Sequence, residues 1–330
     1  MSFYVPSVIP DLIGNLSRSI DDYPEGIVLP VDKPYRWTSA DVIRKLKYAA
    51  IKHFGKKNLK VGHAGTLDPL ATGVLLVCIG NACKRAQELQ DHDKEYIATI
   101  RFGATTPSYD LEKVIDRRFP FEHITEDAVR AALPSFLGEQ EQIAPLFSAK
   151  SVDGVRAYEL ARKMYKRSVI PGSKSVIPGL TGNLPDFDTA ALETLQRSRI
   201  TVSELELLKF VPEKSDSPES SDLRSSSLPQ PPAAGPSHSC AVGGTDSGES
   251  LSSGTPSSRI NVADTSALGL PEAVIRIACS KGTYIRAFAR DLGEALDSGA
   301  HLAGLVRSRS GSFRVENALT LDQALSLLSV

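Results

Sequence analysis

The chain has 330 residues, of which 41% are hydrophobic, and a formal net charge of −1 at pH 7. This length allows one large hydrophobic core, and the near-neutral balance by itself indicates no charged partner. The longest apolar run, VLLVCIG at 74–80, is too short to cross a bilayer, and the first residues lack a signal-peptide pattern, so we expect a soluble cytoplasmic protein without membrane contact.

The predicted elements mix helices and strands without regular βαβ spacing. After an N-terminal arm at 1–25, the first half of the chain contains a strand at 26–34, a helix at 37–54, a buried strand at 74–80, a helix at 82–91, a strand at 94–104 and a helix at about 125–137. The second half contains a turn at Asp153-Gly154 followed by a helix, strands at 203–210 and 272–280, a helix at 283–296, a strand at 302–314 and a short helix at about 320–328. This order favours an α+β fold with a mixed, mostly antiparallel sheet flanked by helices.

Two stretches interrupt this pattern. Residues 167–197 contain the pentapeptide SVIPG twice, which indicates a local duplication in a loop insertion. Residues 213–264 are rich in Ser, Pro and Gly, contain no aromatic residue and carry a net charge of −4. Such a segment cannot bury enough apolar surface to offset its ordering entropy, so it is predicted to be disordered.

The four cysteines give no sign of a disulfide framework or a metal site. Cys78, Cys83, Cys240 and Cys279 lack CxxC spacing, and no group of His, Cys and carboxylate residues has ligand spacing. We therefore expect no metal and no organic cofactor.

A group of six lysines is a candidate surface for nucleic acid. It comprises Lys45, Lys47, Lys52, Lys56, Lys57 and Lys60. Outside residues 213–264 the chain carries a net charge of +3, because −1 minus −4 is +3. On charge alone, this group is equally well explained as a solvated helix face followed by a polar loop.

The segment GHAGTLDPLATG, at 62–73, places one carboxylate, Asp68, in a turn rich in glycine. Pro69 restricts the backbone of Asp68, and the glycines permit positive φ and close approach of a ligand. The pattern predicts a rigidly presented carboxylate at a loop tip. From the turn alone, an acid that only bonds its own backbone is the simpler interpretation of Asp68.

This segment resembles the catalytic loop of the TruB family of tRNA pseudouridine-55 synthases. The resemblance extends over about residues 26–315, in family order. Its other blocks are GIVLPVDKP with WTS, KEYIATIRFGATTPSYD, QIAPLFSAKSVDGVRAYELARK, CSKGTYIR and GAHLAGLVRSRSG. It implies a pseudouridine synthase fold, with a catalytic domain at 26–330 that the two insertions interrupt.

The resemblance also implies a reaction. A uridine in the T-arm of tRNA is flipped out of its stack and isomerised to pseudouridine, which makes the protein an isomerase with tRNA as its partner. Asp68 matches the essential nucleophilic carboxylate. Arg286 matches the arginine that pairs with it, and a guanidinium lowers the pKa of a neighbouring carboxyl by about 1–3 units. Tyr96 matches the tyrosine that stacks on the flipped base.

Four further positions match substrate-binding residues of the family. His63 matches a histidine that helps the flipped nucleotide reorganise, and Asp110 matches an acid of the active-site network. Tyr284 matches a substrate-contacting tyrosine, and Leu305 matches an apolar residue that closes the pocket. The pattern alone favours core positions for Tyr96 and Leu305 and a surface charge for Arg286. It leaves open whether His63 is only a loop residue.

Two departures from the family pattern stand out. The family has a pair of arginines after the position of Leu305, whereas this chain has Val306 and Arg307, so one phosphate contact is expected to be lost. The C-terminal PUA-type RNA-binding domain of bacterial relatives is expected to be absent, which leaves T-arm binding to the catalytic domain and the lysines. We expect a monomer.

Two other functions stay open on the residues. One is a non-catalytic module that binds and folds tRNA through the same pocket. The other is an N-glycoside hydrolase, which would need a second carboxylate near Asp68, and Asp110 is its candidate.

Overall fold

The computed structural model describes residues 16–145, 147, 151–152, 155–156, 197–213, 260 and 262–329. The predicted turn at Asp153-Gly154, the helix after it, the repeated SVIPG segments and residues 214–259 lie outside the described residues. The described part forms a mixed sheet with helices on it, as the sequence predicts.

Ten strands form the main sheet, and most of their pairings are antiparallel. The ten strands are β1 (Ile27–Lys33), β2 (Val61–Ala64), β3 (Ala71–Ile79), β4 (Lys94–Phe102), β7 (Gly138–Ile143), β10 (Arg197–Val211), β11 (Glu272–Cys279), β12 (Ala300–Ser310), β13 (Phe313–Arg314) and β14 (Leu319–Thr320). Neighbouring strands follow the order β14-β1-β3-β12-β4-β11-β10-β7, with β2 also paired to β3 and β13 to β12. The β1–β14 and β3–β12 pairs are parallel.

Two small strand pairs lie outside this sheet. They are β5 (Ala104–Thr105) with β6 (Arg117–Arg118), and β8 (Ser151–Val152) with β9 (Val155–Arg156). The sequence did not predict β2 or β7, because each is a short strand with polar or glycine-rich residues and owes its conformation to a long-range partner.

The helices are α1 (Ser39–Phe54), α2 (Ala86–Asp91), α3 (Glu126–Ala132), α4 (Ile285–Ala295) and α5 (Leu321–Leu327). Thr38 caps α1, since the Thr38 side chain accepts from the Asp41 N–H and the Asp41 carboxylate accepts from the Thr38 N–H. The helix predicted at 82–91 is shorter, because residues 80–85 form a 3₁₀ helix before α2. Residues 133–136 likewise form a 3₁₀ turn after α3.

The apolar interior has two main clusters, one in each half of the sheet. The first packs α1 and α5 against β1 and β3, and the second packs α3 and α4 against β4, β10, β11 and β12. Tyr96 and Leu305 are partly buried and pack against both clusters. The junction between the two halves is therefore lined by two of the predicted site residues.

Residues of the predicted N-terminal arm and of the range predicted to be disordered pack onto this body. Ile20, in the predicted N-terminal arm, is buried in the first cluster, and Ser17 O contacts His53 Nε2 at 3.1 Å. Ile260, near the end of the range predicted to be disordered, is also buried, and the Ala263 N–H donates to Leu111 O. Ile260 and Ala263, which lie within the range predicted to be disordered, therefore contact the main body.

Candidate active site

Arg286 lies at the start of α4, and its guanidinium is almost fully buried. Nε donates to Asp68 Oδ2 at 2.9 Å and Nη2 to Asp68 Oδ1 at 3.2 Å, so the pairing is bidentate. Nη1 donates to Ser108 O, and Nη2 also donates to Phe147 O. Burial disfavours the charged guanidinium, but the carboxylates of Asp68 and Asp110 more than offset this, and the pKa of Arg286 is raised.

The Gln142 side chain fixes the start of α4. Its Oε1 accepts from the Tyr284 N–H at 2.8 Å, and its Nε2 donates to Tyr284 O at 3.1 Å. Tyr284 itself caps the helix without a side-chain cap bond. An amide side chain on β7 therefore satisfies backbone groups next to Arg286 and holds it in place.

Asp68 begins a tight turn, as the sequence predicts. The Ala71 N–H donates to Asp68 O at 3.1 Å, with Pro69 at the second position, where a fixed φ suits the turn. Ser39 Oγ donates to Leu67 O and accepts from the Leu67 N–H, which ties the residue before Asp68 to α1. The Asp68 side chain stays 38% exposed, so it is anchored and still open to a ligand.

Lys33 is a buried residue beneath this turn that the sequence analysis did not assign. It is 0% exposed, and its Nζ donates to Pro34 O, Trp37 O and Pro69 O at 2.9, 2.6 and 3.2 Å. Burial lowers its pKa to about 7, and the carboxylate of Asp68 opposes that shift. The motif DKP at 32–34 was visible in the sequence, but its lysine looks like an ordinary surface charge until the three carbonyls are placed around it.

Asp110 is the second carboxylate that faces Arg286. Its Oδ2 lies 3.8 Å from Arg286 Nε, and its Oδ1 accepts from Ser108 Oγ at 2.6 Å and from the Glu112 N–H at 2.9 Å. Burial raises the pKa of Asp110, while Arg286 and the Ser108 hydroxyl oppose the shift. The two carboxylates therefore differ in solvation, since Asp110 is buried and Asp68 is open.

A hollow with about 290 Å³ of atom-free space, counted with its open mouth, lies beside this ion-pair network. Of the predicted site residues, Asp68, Asp110, Arg286 and Leu305 line it. The other lining residues are Leu70, Ala71, Leu111, Leu302, Ala303 and Gly304. A charged pair thus stands at one side of a hollow whose other walls are mainly apolar.

Tyr96, His63 and Tyr284 are not among the lining residues of the hollow. Tyr96 on β4 is paired in register with Arg307 of β12, and burial raises the pKa of its phenol. His63 on β2 is half-buried, its Nδ1 has no partner among the described residues, and burial lowers its pKa.

Arg307 is fully buried, whereas the family resemblance implies that an arginine after Leu305 contacts a phosphate. Its Nε donates to Val74 O at 2.7 Å and its Nη2 to Gly65 O at 3.1 Å. Gly73 has φ +98°, and a Cβ there would lie 2.3 Å from Arg307 O. The glycines of the turn therefore allow close approach of β12 and its arginine, in addition to any ligand.

The described residues contain no group of three or more His, Cys, Asp or Glu side chains placed to hold a metal ion. In that same part of the chain, no helix has the length and apolar character needed to cross a membrane. Cys78, Cys83 and Cys279 are free thiols in the structure.

Comparison with known proteins identifies the family. Residues 51–177 match the model of the TruB family pseudouridylate synthase N-terminal domain. A Phocaeicola vulgatus protein named tRNA pseudouridine synthase B is 41% identical over 91% of this chain and 92% of its own length. Proteins of the same name from Flavobacterium johnsoniae and Deinococcus radiodurans are 35% and 34% identical, over 91% and 89% of this chain and 95% and 77% of their own lengths.

Among solved structures, a Cbf5-Nop10-Gar1 complex contains a chain similar in fold, with a TM-score of 0.50 and 20% identity. The alignment covers 93% of this chain and 56% of that one, so this chain spans little more than half its length. That likeness supports the fold alone. The extent and identity of the sequence matches show that the chain belongs to the TruB family of pseudouridylate synthases.

Proposed function

We propose that this enzyme isomerises the uridine at position 55 in the T-arm of tRNA to pseudouridine, with Asp68 as the nucleophilic carboxylate. The observation that carries the proposal is the bidentate Asp68–Arg286 pair beside a largely apolar hollow. The guanidinium orients the carboxylate through two hydrogen bonds, while one face of Asp68 remains open. The family membership and the names of the relatives point to the same reaction class.

The reaction is redox-neutral and needs no external group. The N1–C1′ bond breaks, a C5–C1′ bond forms, C5 loses its proton and N1 ends with one. A uridine stacked in a folded T-arm reaches Asp68 only after it has been flipped out of the stack. The apolar walls at Leu70, Ala71 and Leu305 suit the faces of a uracil ring, and Asp68 meets the ring or its sugar at the mouth.

The residues around the hollow have distinct proposed roles. Tyr96 stacks on the flipped base and helps to move the C5 proton, and Leu305 closes the pocket. Asp110 faces the same Nε of Arg286 that donates to Asp68 and adds a second carboxylate beside the guanidinium. Tyr284 and His63 contact the flipped nucleotide and its neighbours.

The lysine group extends this site toward a larger RNA. Lys47, Lys57 and Lys60 line one open concave surface, and Lys60 immediately precedes β2, which leads to the Asp68 turn. Clustered lysines on an open concave surface suit the phosphate backbone of a T-arm stem. This placement favours RNA contact over a merely solvated helix face.

A site-specific RNA assay tests the proposed reaction. Unmodified tRNA transcript is incubated with the purified chain, and pseudouridine is mapped at single-nucleotide resolution while free uracil is measured. Pseudouridine confined to position 55 without uracil release is the expected result. Uracil release would instead support an N-glycoside hydrolase that uses Asp110 as its second carboxylate.

The same assay in cells addresses the target. Total tRNA from cells with and without the gene should differ at position 55, and loss elsewhere would contradict the proposed substrate. A chain that accelerates tRNA folding but forms no pseudouridine would be the non-catalytic module instead.

A further inference from the structure

Arg36 has a backbone conformation that favours glycine. Its φ is +63°, in the left-handed region that side chains with a Cβ rarely adopt. Its N–H donates to Pro69 O at 3.0 Å, directly after Asp68. Glycine would keep that backbone bond without steric cost. The presence of arginine at this position therefore needs an explanation in its side chain.

The guanidinium of Arg36 contacts a segment more than 200 positions away. Its Nη2 donates to Ile260 O at 2.7 Å, and Ile260 is buried. We refer to Ile260 and residues 262–265 as the return segment. The Nε of Arg36 is buried without a partner among the described residues, so the guanidinium is turned partly into the protein and is anchored through Nη2.

The return segment is bonded next to the other carboxylate as well. The Ala263 N–H donates to Leu111 O at 2.8 Å, one residue after Asp110, and Leu111 lines the hollow. At its far end, Thr265 is buried and accepts from Arg101 Nη1 at 2.7 Å. The return segment therefore connects the surroundings of Asp110 with those of Asp68, and Arg36 makes the connection on the Asp68 side.

We propose that Arg36 is a positioning residue for Asp68, which it holds in register with Asp110 by joining the Pro69 carbonyl to the return segment. Both carboxylates share one guanidinium, Arg286, so their relative placement decides the geometry of the ion pair. This role rests on the proposed function, because it concerns the carboxylate to which that function assigns the chemistry.

Substitution by glycine separates this role from a purely structural one. In Arg36→Gly the backbone bond to Pro69 and the positive φ are retained, and only the guanidinium link is lost. We expect a little-changed thermal midpoint, a kcat about tenfold lower and an unchanged KM, the signature of lost positioning without lost binding. Arg36→Lys, which keeps a cationic donor, should recover most of the kcat. Arg130→Ala, at an exposed arginine on α3, controls for the change in charge.

Hydrogen exchange provides a readout that is independent of activity. In Arg36→Gly, the amides of Ala71 and Ala263 should exchange at least about tenfold faster, because the turn and the return segment open locally. Amides within β11 should be unaffected, which distinguishes local opening from global destabilisation.

Three outcomes would overturn the role of Arg36. The first is a wild-type kcat with unchanged amide exchange in Arg36→Gly. The second is a raised KM with unchanged kcat in that variant, which would indicate that Arg36 contacts RNA directly. The third is a kcat of Arg36→Lys no higher than that of Arg36→Gly. If the wild-type chain formed no pseudouridine, the proposed function would fail, whereas the exchange measurements would still decide whether Arg36 orders the turn.

Discussion

The two halves of the sheet hold their parts of the active site in different ways. Arg286 begins a helix whose neighbouring residues are buried in the second apolar cluster, and Asp110 is bonded within its own turn. Asp68 instead lies on a turn fixed by polar contacts to Lys33, Arg36 and Ser39 of the first half. Apolar packing thus supports the cation, and a hydrogen-bond network supports the carboxylate of Asp68.

This difference fits the demands on each group. A buried guanidinium can be held by packing and by carbonyl oxygens, since it is not consumed in the reaction. A carboxylate that must stay open to a flipped base cannot be surrounded by side chains, so its backbone has to be fixed from below. Loss of a contact in either half should therefore affect turnover, and loss of a buried partner such as Lys33 or Arg286 should also affect stability.

The largest effect is expected where the halves meet. Arg286→Lys keeps a positive charge but loses the planar, bidentate pairing with Asp68 and the bonds to two carbonyls. We expect turnover to fall by about 100-fold or more, because small displacements of a reacting group have effects of that size. Single-turnover kinetics on a tRNA transcript measure this.

The same position offers a test of stability. Arg286→Met should cost less than the roughly 3–5 kcal/mol of a fully buried ion pair, because the Asp68 side chain is 38% exposed. An unchanged urea midpoint would contradict the view that this arginine links the two halves.

A buried lysine tests the polar support of Asp68. Lys33→Met leaves three carbonyls without their shared donor, which should lower the free energy of unfolding by about 1–3 kcal/mol and also slow turnover. Lys94→Met is the matched control, since the buried Lys94 donates to Gln90 O and His92 O, away from the Asp68 turn. Equal losses of turnover in the two variants would show that Lys33 acts only through stability.

The buried carboxylate gives a pH-dependent prediction. The native pKa of Asp110 is raised by burial, so the native state keeps this proton to a higher pH than the unfolded chain does. Its contribution to stability is present below about pH 4 and is lost as the pH rises through the raised native pKa. Asn does not titrate, so Asp110→Asn should gain stability relative to the wild type as the pH increases from about 4.

Denaturation curves at several pH values measure that difference. A constant difference across the range would mean that Asp110 has the same pKa in both states. Turnover of Asp110→Asn should fall by only about tenfold, since it removes one partner of Arg286 worth about 1.4 kcal/mol and leaves Asp68 paired.

The smallest effect on the reaction is expected at the lysine group, whose residues do not line the hollow. The double substitution Lys57→Ala and Lys60→Ala should weaken tRNA binding and reduce the slope of log K against log salt by about 0.9 for each lost phosphate contact. Lys209→Ala, at an exposed position on β10, is the control. An unchanged salt slope would place the RNA elsewhere.

Sequence reasoning reached the elements that carry local signals. The strand predicted at 94–104, the helix predicted at 37–54 and the Asp68-Pro69 turn are each set by neighbours in the chain, and the structure contains all three. The family resemblance also placed Arg286 opposite Asp68, which local patterns alone would not do.

The missed features depend on contacts between distant residues. Lys33 reads as a surface lysine until Trp37 O and Pro69 O converge on it, and Ser108 gives no signal before Arg286 reaches its carbonyl. Strand β7 has a polar sequence, and its pairing with β10 comes from the sheet. These features depend on tertiary contacts, which a local sequence pattern does not specify.

The most direct test of the central claim is Asp68→Asn. The amide keeps the shape of the side chain and removes the charge, so the variant should bind tRNA with nearly unchanged affinity and form no detectable pseudouridine at position 55. Product formation at the wild-type rate by this variant would contradict the assignment of the chemistry to Asp68.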